Sequence, residues 1–76
     1  MRAEDQRDFA AYAAGRMQAL FRVALLLAGN RPDAEDLLQS ALATTALRWR
    51  FIRDRERLDH YVRRVMYHQQ ARWWRD

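Results

Sequence analysis

Toward the C-terminus two arginines, Arg63 and Arg64, lie within one helical turn of Tyr67, and Trp74 follows two turns later. Guanidinium groups bind phosphate in a bidentate fork and exposed aromatic rings stack on unpaired bases. The combination is therefore the chemistry of single-stranded nucleic acid, with stacking contributing about 1–3 kcal/mol per base. At about 100° per residue, Arg63, Arg64, Tyr67, Gln70, Trp74 and Arg75 project to one side of a helix, with His60 and His68 on its flanks. Trp73 projects nearer the apolar side, where it is expected to close the end of a core. The competing structural role is that both tryptophans serve as core clamps.

A second stripe lies upstream. Opposite the apolar face of the middle segment stand Asp36, Gln39, Ser40, Ala43, Leu47 and Arg50. A purely solvated helix carries Glu and Lys there, whereas small residues flanked by Asp, Gln and Arg suit a second helix laid along the face. An alanine-rich surface without a partner is the alternative.

Other chemistry finds little support. His60 and His68 are eight apart, not at the four-residue spacing that lets two imidazoles share a metal on one helix face, and cysteine is absent. No metal site or cofactor is expected. Asp33 and Asp36 sit where a helix N-terminus favours negative charge, so a capping role is expected before an acid–base pair. Ser40, Thr44 and Thr45 have no neighbouring base to activate a hydroxyl, and neither a nucleophile elbow nor a glycine-rich phosphate loop is present. The expectation is a binding protein and not an enzyme.

The elements that must position these stripes are helical. Seventy-six residues leave room for one domain. One Pro, two Gly and few β-branched residues favour an all-α fold, a compact bundle of three to four helices. A first helix is predicted over about 4–28, with a split near Gly15; its core face is Phe9, Ala13, Met17, Leu20, Phe21, Ala24 and Leu27. Gly29, Asn30, Arg31 and Pro32 supply a C-cap glycine and a helix-starting proline. A second helix follows over 33–49, with Ala34, Leu37, Leu38, Ala41, Leu42 and Thr45 inward. Residues 50–57 read as a loop. The last helix covers 58–75, with Leu58, Tyr61, Val62, Val65 and one face of the Gln69 to Trp73 turn inward. The net charge of +4 is unevenly spread: residues 1–47 hold five Arg against six acids, and residues 48–76 nine Arg against four. A polyanion partner and a solvated charged face are both compatible with that excess. The longest apolar run, 23–28, is far below the roughly 18 residues of a membrane span, and the first residues lack a secretory pattern. A soluble, cytoplasmic protein without a membrane partner is expected.

The run Gly29-Asn30-Arg31-Pro32-Asp33-Ala34-Glu35-Asp36-Leu37-Leu38-Gln39-Ser40-Ala41-Leu42, then Trp49, then Tyr61-Val62-Arg63-Arg64-Val65-Met66 and Trp73-Trp74-Arg75, resembles region two of an extracytoplasmic-function sigma factor, SigE-like, of the sigma-70 family. The likeness runs from about Phe9 to Arg75. Family members carry a further helix-turn-helix domain that reads the minus-thirty-five element. None follows Asp76, so a shortened form or a natural lone region-two protein is expected.

The resemblance implies roles for both stripes. It implies that the middle helix docks on the clamp helices of the RNA polymerase β′ subunit, with Asp36 and Gln39 making polar contacts. Ser40 stands where the family often has Glu. It further implies that the last helix and the preceding loop, where Arg53 and Arg55 lie, open the minus-ten promoter element and hold non-template single-stranded DNA. His68 stands where an Asn is common beside a flipped base, and Arg63 and Arg64 would face phosphates. Tyr61 falls at the family's melting wedge, although its helical position points to the core. An anti-sigma factor is a further implied partner. The contrasting function, which needs no nucleic acid, is a helical protein-interaction module.

Overall fold

The computed structural model describes residues 2–52 and 54–75; of these, the side chains of Arg55 and Arg75 are outside the description. Arg53 lies outside the described residues altogether. Three α-helices form the body: α1 (Ala3–Ala28), α2 (Arg31–Leu47) and α3 (Leu58–Arg75). Between α2 and α3 the chain makes two single 3₁₀ turns, Trp49–Phe51 and Arg55–Arg57. The all-α expectation holds, and the segment expected to be a loop is partly ordered as these turns.

The α1–α2 corner is built by local chemistry. Gly29 ends α1 at φ +86°, a left-handed conformation that glycine adopts without a Cβ penalty, and its N–H donates to the Leu25 carbonyl. Asn30 then caps α2, its side-chain oxygen accepting from the Asp33 N–H at 3.0 Å. Capping therefore falls to Asn30, and α2 starts at Arg31, two residues earlier than its acidic residues suggest. Gly15 does not split α1: the helix is continuous through it. A helical glycine costs about 1 kcal/mol, which a 26-residue helix packed along its length absorbs.

The helices run up, down and up. Phe9 packs on Trp49 and Tyr12 bonds to Asp59 near one end, while Leu27 meets Gln70 toward the other, so α1 and α3 are parallel and α2 runs against both. The core is Leu20 and Ala24 from α1, Ala34, Leu37, Leu38 and Ala41 from α2, and Val62 and Met66 from α3. The apolar period predicts the α2 set closely. It overstates Met17, which is 42% exposed. Met17 lines an open groove with Phe21, Leu38 and Leu42 over the α1–α2 seam. Among the described residues nothing covers that side.

Two further departures come from contacts distant in sequence. Gln70, expected outward, is buried; its Nε2 donates to the Leu27 carbonyl at 3.1 Å. That carbonyl is among the last four of α1, which have no partner within the helix, so burying Gln70 satisfies the helix end. Trp73, expected to clamp the core, is instead 40% exposed. Since Gln70 already sits at the end of α1, the turn that carries Trp73 and Trp74 runs past its neighbour. Gln70→Leu is expected to leave the Leu27 carbonyl without its donor and to lower stability by about 1–3 kcal/mol, measured by urea denaturation.

Trp49 forms the second packing centre. It is 1% exposed, with the Phe9 ring edge-on at 5.4 Å between centroids and Tyr12 tilted at 6.1 Å. It lies in a 3₁₀ turn and not, as expected, at the end of α2, which stops at Leu47.

Beside it, the Tyr12 hydroxyl donates to Asp59 Oδ1 at 2.7 Å and Arg16 pairs with Oδ2, tying α1 to the first turn of α3. Burial is the largest influence on Asp59 and pushes its carboxyl upward, but Arg16 and Tyr12 together outweigh it and hold the group below its usual value of 3.8. Burial first, then the bond to Asp59, pushes the Tyr12 hydroxyl well above its ordinary range. A carboxyl with a depressed folded value stabilises fully above the ordinary value and loses that contribution as pH falls through the folded one. Stability is therefore expected to decline as pH falls below about 4. Asp59→Asn should flatten that acid limb in urea denaturation across pH.

Candidate functional site

Two outward faces emerge on different helices. On α3, the exposed residues include Arg63, Arg64, Tyr67, His68 and Trp74, together with His60 one turn before Arg64. Tyr67 is 58% exposed and Trp74 77%. Rings of this size remain in water only at an energetic loss relative to burial, so their combined exposure among arginines makes this face a candidate binding surface. His60, Arg63, Arg64 and Tyr67 line one shallow concavity of about 300 Å³. Their spacing of three, four and seven places all four on a single stripe. Trp74 lies seven residues beyond Tyr67, about 10 Å along the axis at the α-helical rise. Tyr61 is half-buried, so its side chain belongs partly to the core and partly to the surface.

On α2, Asp36, Gln39 and Ala43 are exposed, Leu47 is 82% exposed and Ser40 is half-buried. Arg50 lies beyond the helix, in the Trp49–Phe51 turn, yet still borders the same surface: a second concavity is lined by Asp5, Ala43, Ala46, Leu47, Trp49 and Arg50. Of the sequence-predicted set this concavity brings together Ala43, Leu47 and Arg50, Arg50 reaching it from a turn, while Gln39 lines the groove over the α1–α2 seam and Asp36 and Ser40 line neither.

Phe51 is a residue the sequence patterns missed. It is 71% exposed, with the Arg50 guanidinium 5.2 Å above its ring. An aromatic next to arginine in a polar stretch was the available signal. On α3 aromatic residues likewise stand near arginines in sequence. Arg53 lies outside the described residues, and the Arg55 and Arg75 side chains are not described, so their DNA-binding roles stand as proposals from sequence.

Among the described residues no three of His, Asp or Glu are grouped to hold a metal ion. No helix is long and apolar enough to cross a membrane among those residues.

No family model matches the chain, and no solved structure does. Curated relatives do. The chain is 46% identical over 68 residues to the RNA polymerase sigma-E factor of Streptomyces coelicolor and 44% identical over 68 residues to that of Streptomyces avermitilis, each match covering 90% of this chain. It is 47% identical over 60 residues, 79% of its length, to the protein of the same name from Streptomyces antibioticus. These similarities support a fragment of an RNA polymerase sigma factor. Its relatives set it on the sigma-E branch, among the extracytoplasmic-function factors. It spans 33–38% of the length of these relatives.

Proposed function

We propose that this chain is the region-two domain of an extracytoplasmic-function sigma factor. In this role it binds the β′ clamp helices of RNA polymerase through α2 and the non-template strand of the minus-ten element through α3. It acts by binding, carries out no bond chemistry, and works in the cytoplasm beside the polymerase. The observation that supports this most is the separation of the two faces: Gln39 and Leu47 are exposed on α2 while Arg63, Arg64, Tyr67, His68 and Trp74 are exposed on α3. One domain can then hold the polymerase and an unpaired strand at the same time.

The chemistry of each face suits its partner. Small Ala43 lets a helix approach closely, while Asp36 and Gln39 offer polar contacts that fix its register. On α3, arginines meet phosphates and aromatic rings stack on bases; holding a base out of the duplex loses a few kcal/mol of stacking, which such contacts offset. His68 both donates and accepts, so it can read a base edge, and its preference will follow its tautomer. The loop residues Arg53 and Arg55 and the last-turn Arg75 add positive charge around this strand. An anti-sigma factor would compete for one of these faces.

The decisive experiment is capture by an immobilised β′ clamp-helix fragment. The intact chain should bind, and the double variant Asp36→Ala, Gln39→Ala should lose at least tenfold in affinity with an unchanged helical circular-dichroism spectrum. Equal capture of both proteins removes α2 from the clamp interface.

A further inference from the structure

Resting on the α3 assignment, we propose that His60 is a phosphate ligand, closing with Arg63 and Arg64 a seat for one backbone phosphate whose neighbouring base stacks on Tyr67. All four side chains line the same concavity, and all four are exposed. The stripe has the composition of one nucleotide site: two guanidinium forks, an imidazole N–H and an aromatic plane within about two helical turns. Asp59, one residue away, bonds to Tyr12 and Arg16 on the α1 side, and its carboxylate also attracts Arg63 across the first turn of α3. The entering segment carries Asp54, Glu56 and Arg57, with Arg57 paired to Asp54 at 3.3 Å. The positive charge facing a bound strand comes from Arg63 and Arg64, with the His60 imidazole lining the same concavity.

This arrangement makes strand binding respond to pH. Imidazole is the side chain that changes charge between pH 5 and 8. Each added phosphate contact on single-stranded nucleic acid steepens the salt dependence of log K by about 0.7, which at 0.1 M salt is about fivefold in affinity. The experiment is a titration of the chain with a dye-labelled non-template minus-ten oligonucleotide, read by anisotropy at pH 8 and pH 5.5 over a salt series. The parent chain should bind about fivefold tighter at pH 5.5, with the steeper slope. His60→Gln should abolish both increments and keep its circular-dichroism spectrum. His68→Gln should retain both, whatever its absolute affinity. Strand binding with no pH response, or a response that survives in His60→Gln and disappears in His68→Gln, overturns the role of His60 and leaves the α3 assignment standing. Absence of strand binding at either pH overturns both.

Discussion

Trp49→Ala is expected to lower stability by about 3–5 kcal/mol, the range for removing a large buried aromatic. A domain of 76 residues holds only about 4–11 kcal/mol in total, at 0.05–0.15 kcal/mol per residue. The variant should therefore be partly unfolded at 25 °C. The size of the effect follows from what Trp49 holds: it is 1% exposed, packs on Phe9 and Tyr12 of α1, and anchors the turn through which the chain passes from α2 toward α3. Removing the indole deprives both rings of their partner, and the cavity cannot close without moving the turn. Trp49→Phe should lose much less. Trp74→Ala, at a position 77% exposed, should stay within about 0.5 kcal/mol of the parent. Urea denaturation followed by far-ultraviolet circular dichroism compares the three, and equal midpoints for Trp49→Ala and Trp74→Ala would refute the anchoring role.

That contrast between two tryptophans shows where sequence patterns reach and where they stop. The buried α2 positions Ala34, Leu37, Leu38, Ala41 and Thr45 follow directly from helical spacing, because one face of a short helix meets its neighbours along its whole length. The Gly29–Asn30 corner is equally legible, since a left-handed cap and a side-chain cap are local chemistry. Trp49 comes after the periodic stretch has ended, and its burial depends on Phe9 and Tyr12, about forty residues earlier. Gln70 is polar and falls on the outward side of the wheel; only its distance from the last carbonyls of α1 reveals that it must turn inward. The same reasoning explains why the candidate site was easier to see than the core. Exposure of Arg63, Arg64, Tyr67, His68 and Trp74 depends only on one helix having a free face, while the grouping of His60 with the arginines also needed the shape of the surface.

The largest expected functional effect falls on the paired substitution Arg63→Ala, Arg64→Ala. If each guanidinium contacts one phosphate, its loss should flatten the salt dependence of log K by about 0.7, and the pair by about 1.4. At 0.1 M salt this corresponds to about 25-fold weaker binding of a single-stranded oligonucleotide, the same for matched and scrambled sequences because phosphate carries no sequence information. The fold should be unaffected: both side chains are exposed, and among the described residues neither is held by a hydrogen bond or an ion pair. Lysine in place of both arginines separates charge from geometry, since it keeps the positive charge and so the salt slope while losing the bidentate fork. Anisotropy titrations between 50 and 300 mM salt give all three slopes, roughly the window in which counterion release dominates affinity. A slope for the alanine pair equal to that of the parent chain would move the phosphates away from this stripe and leave Tyr67 and Trp74 as exposed rings without a strand to follow.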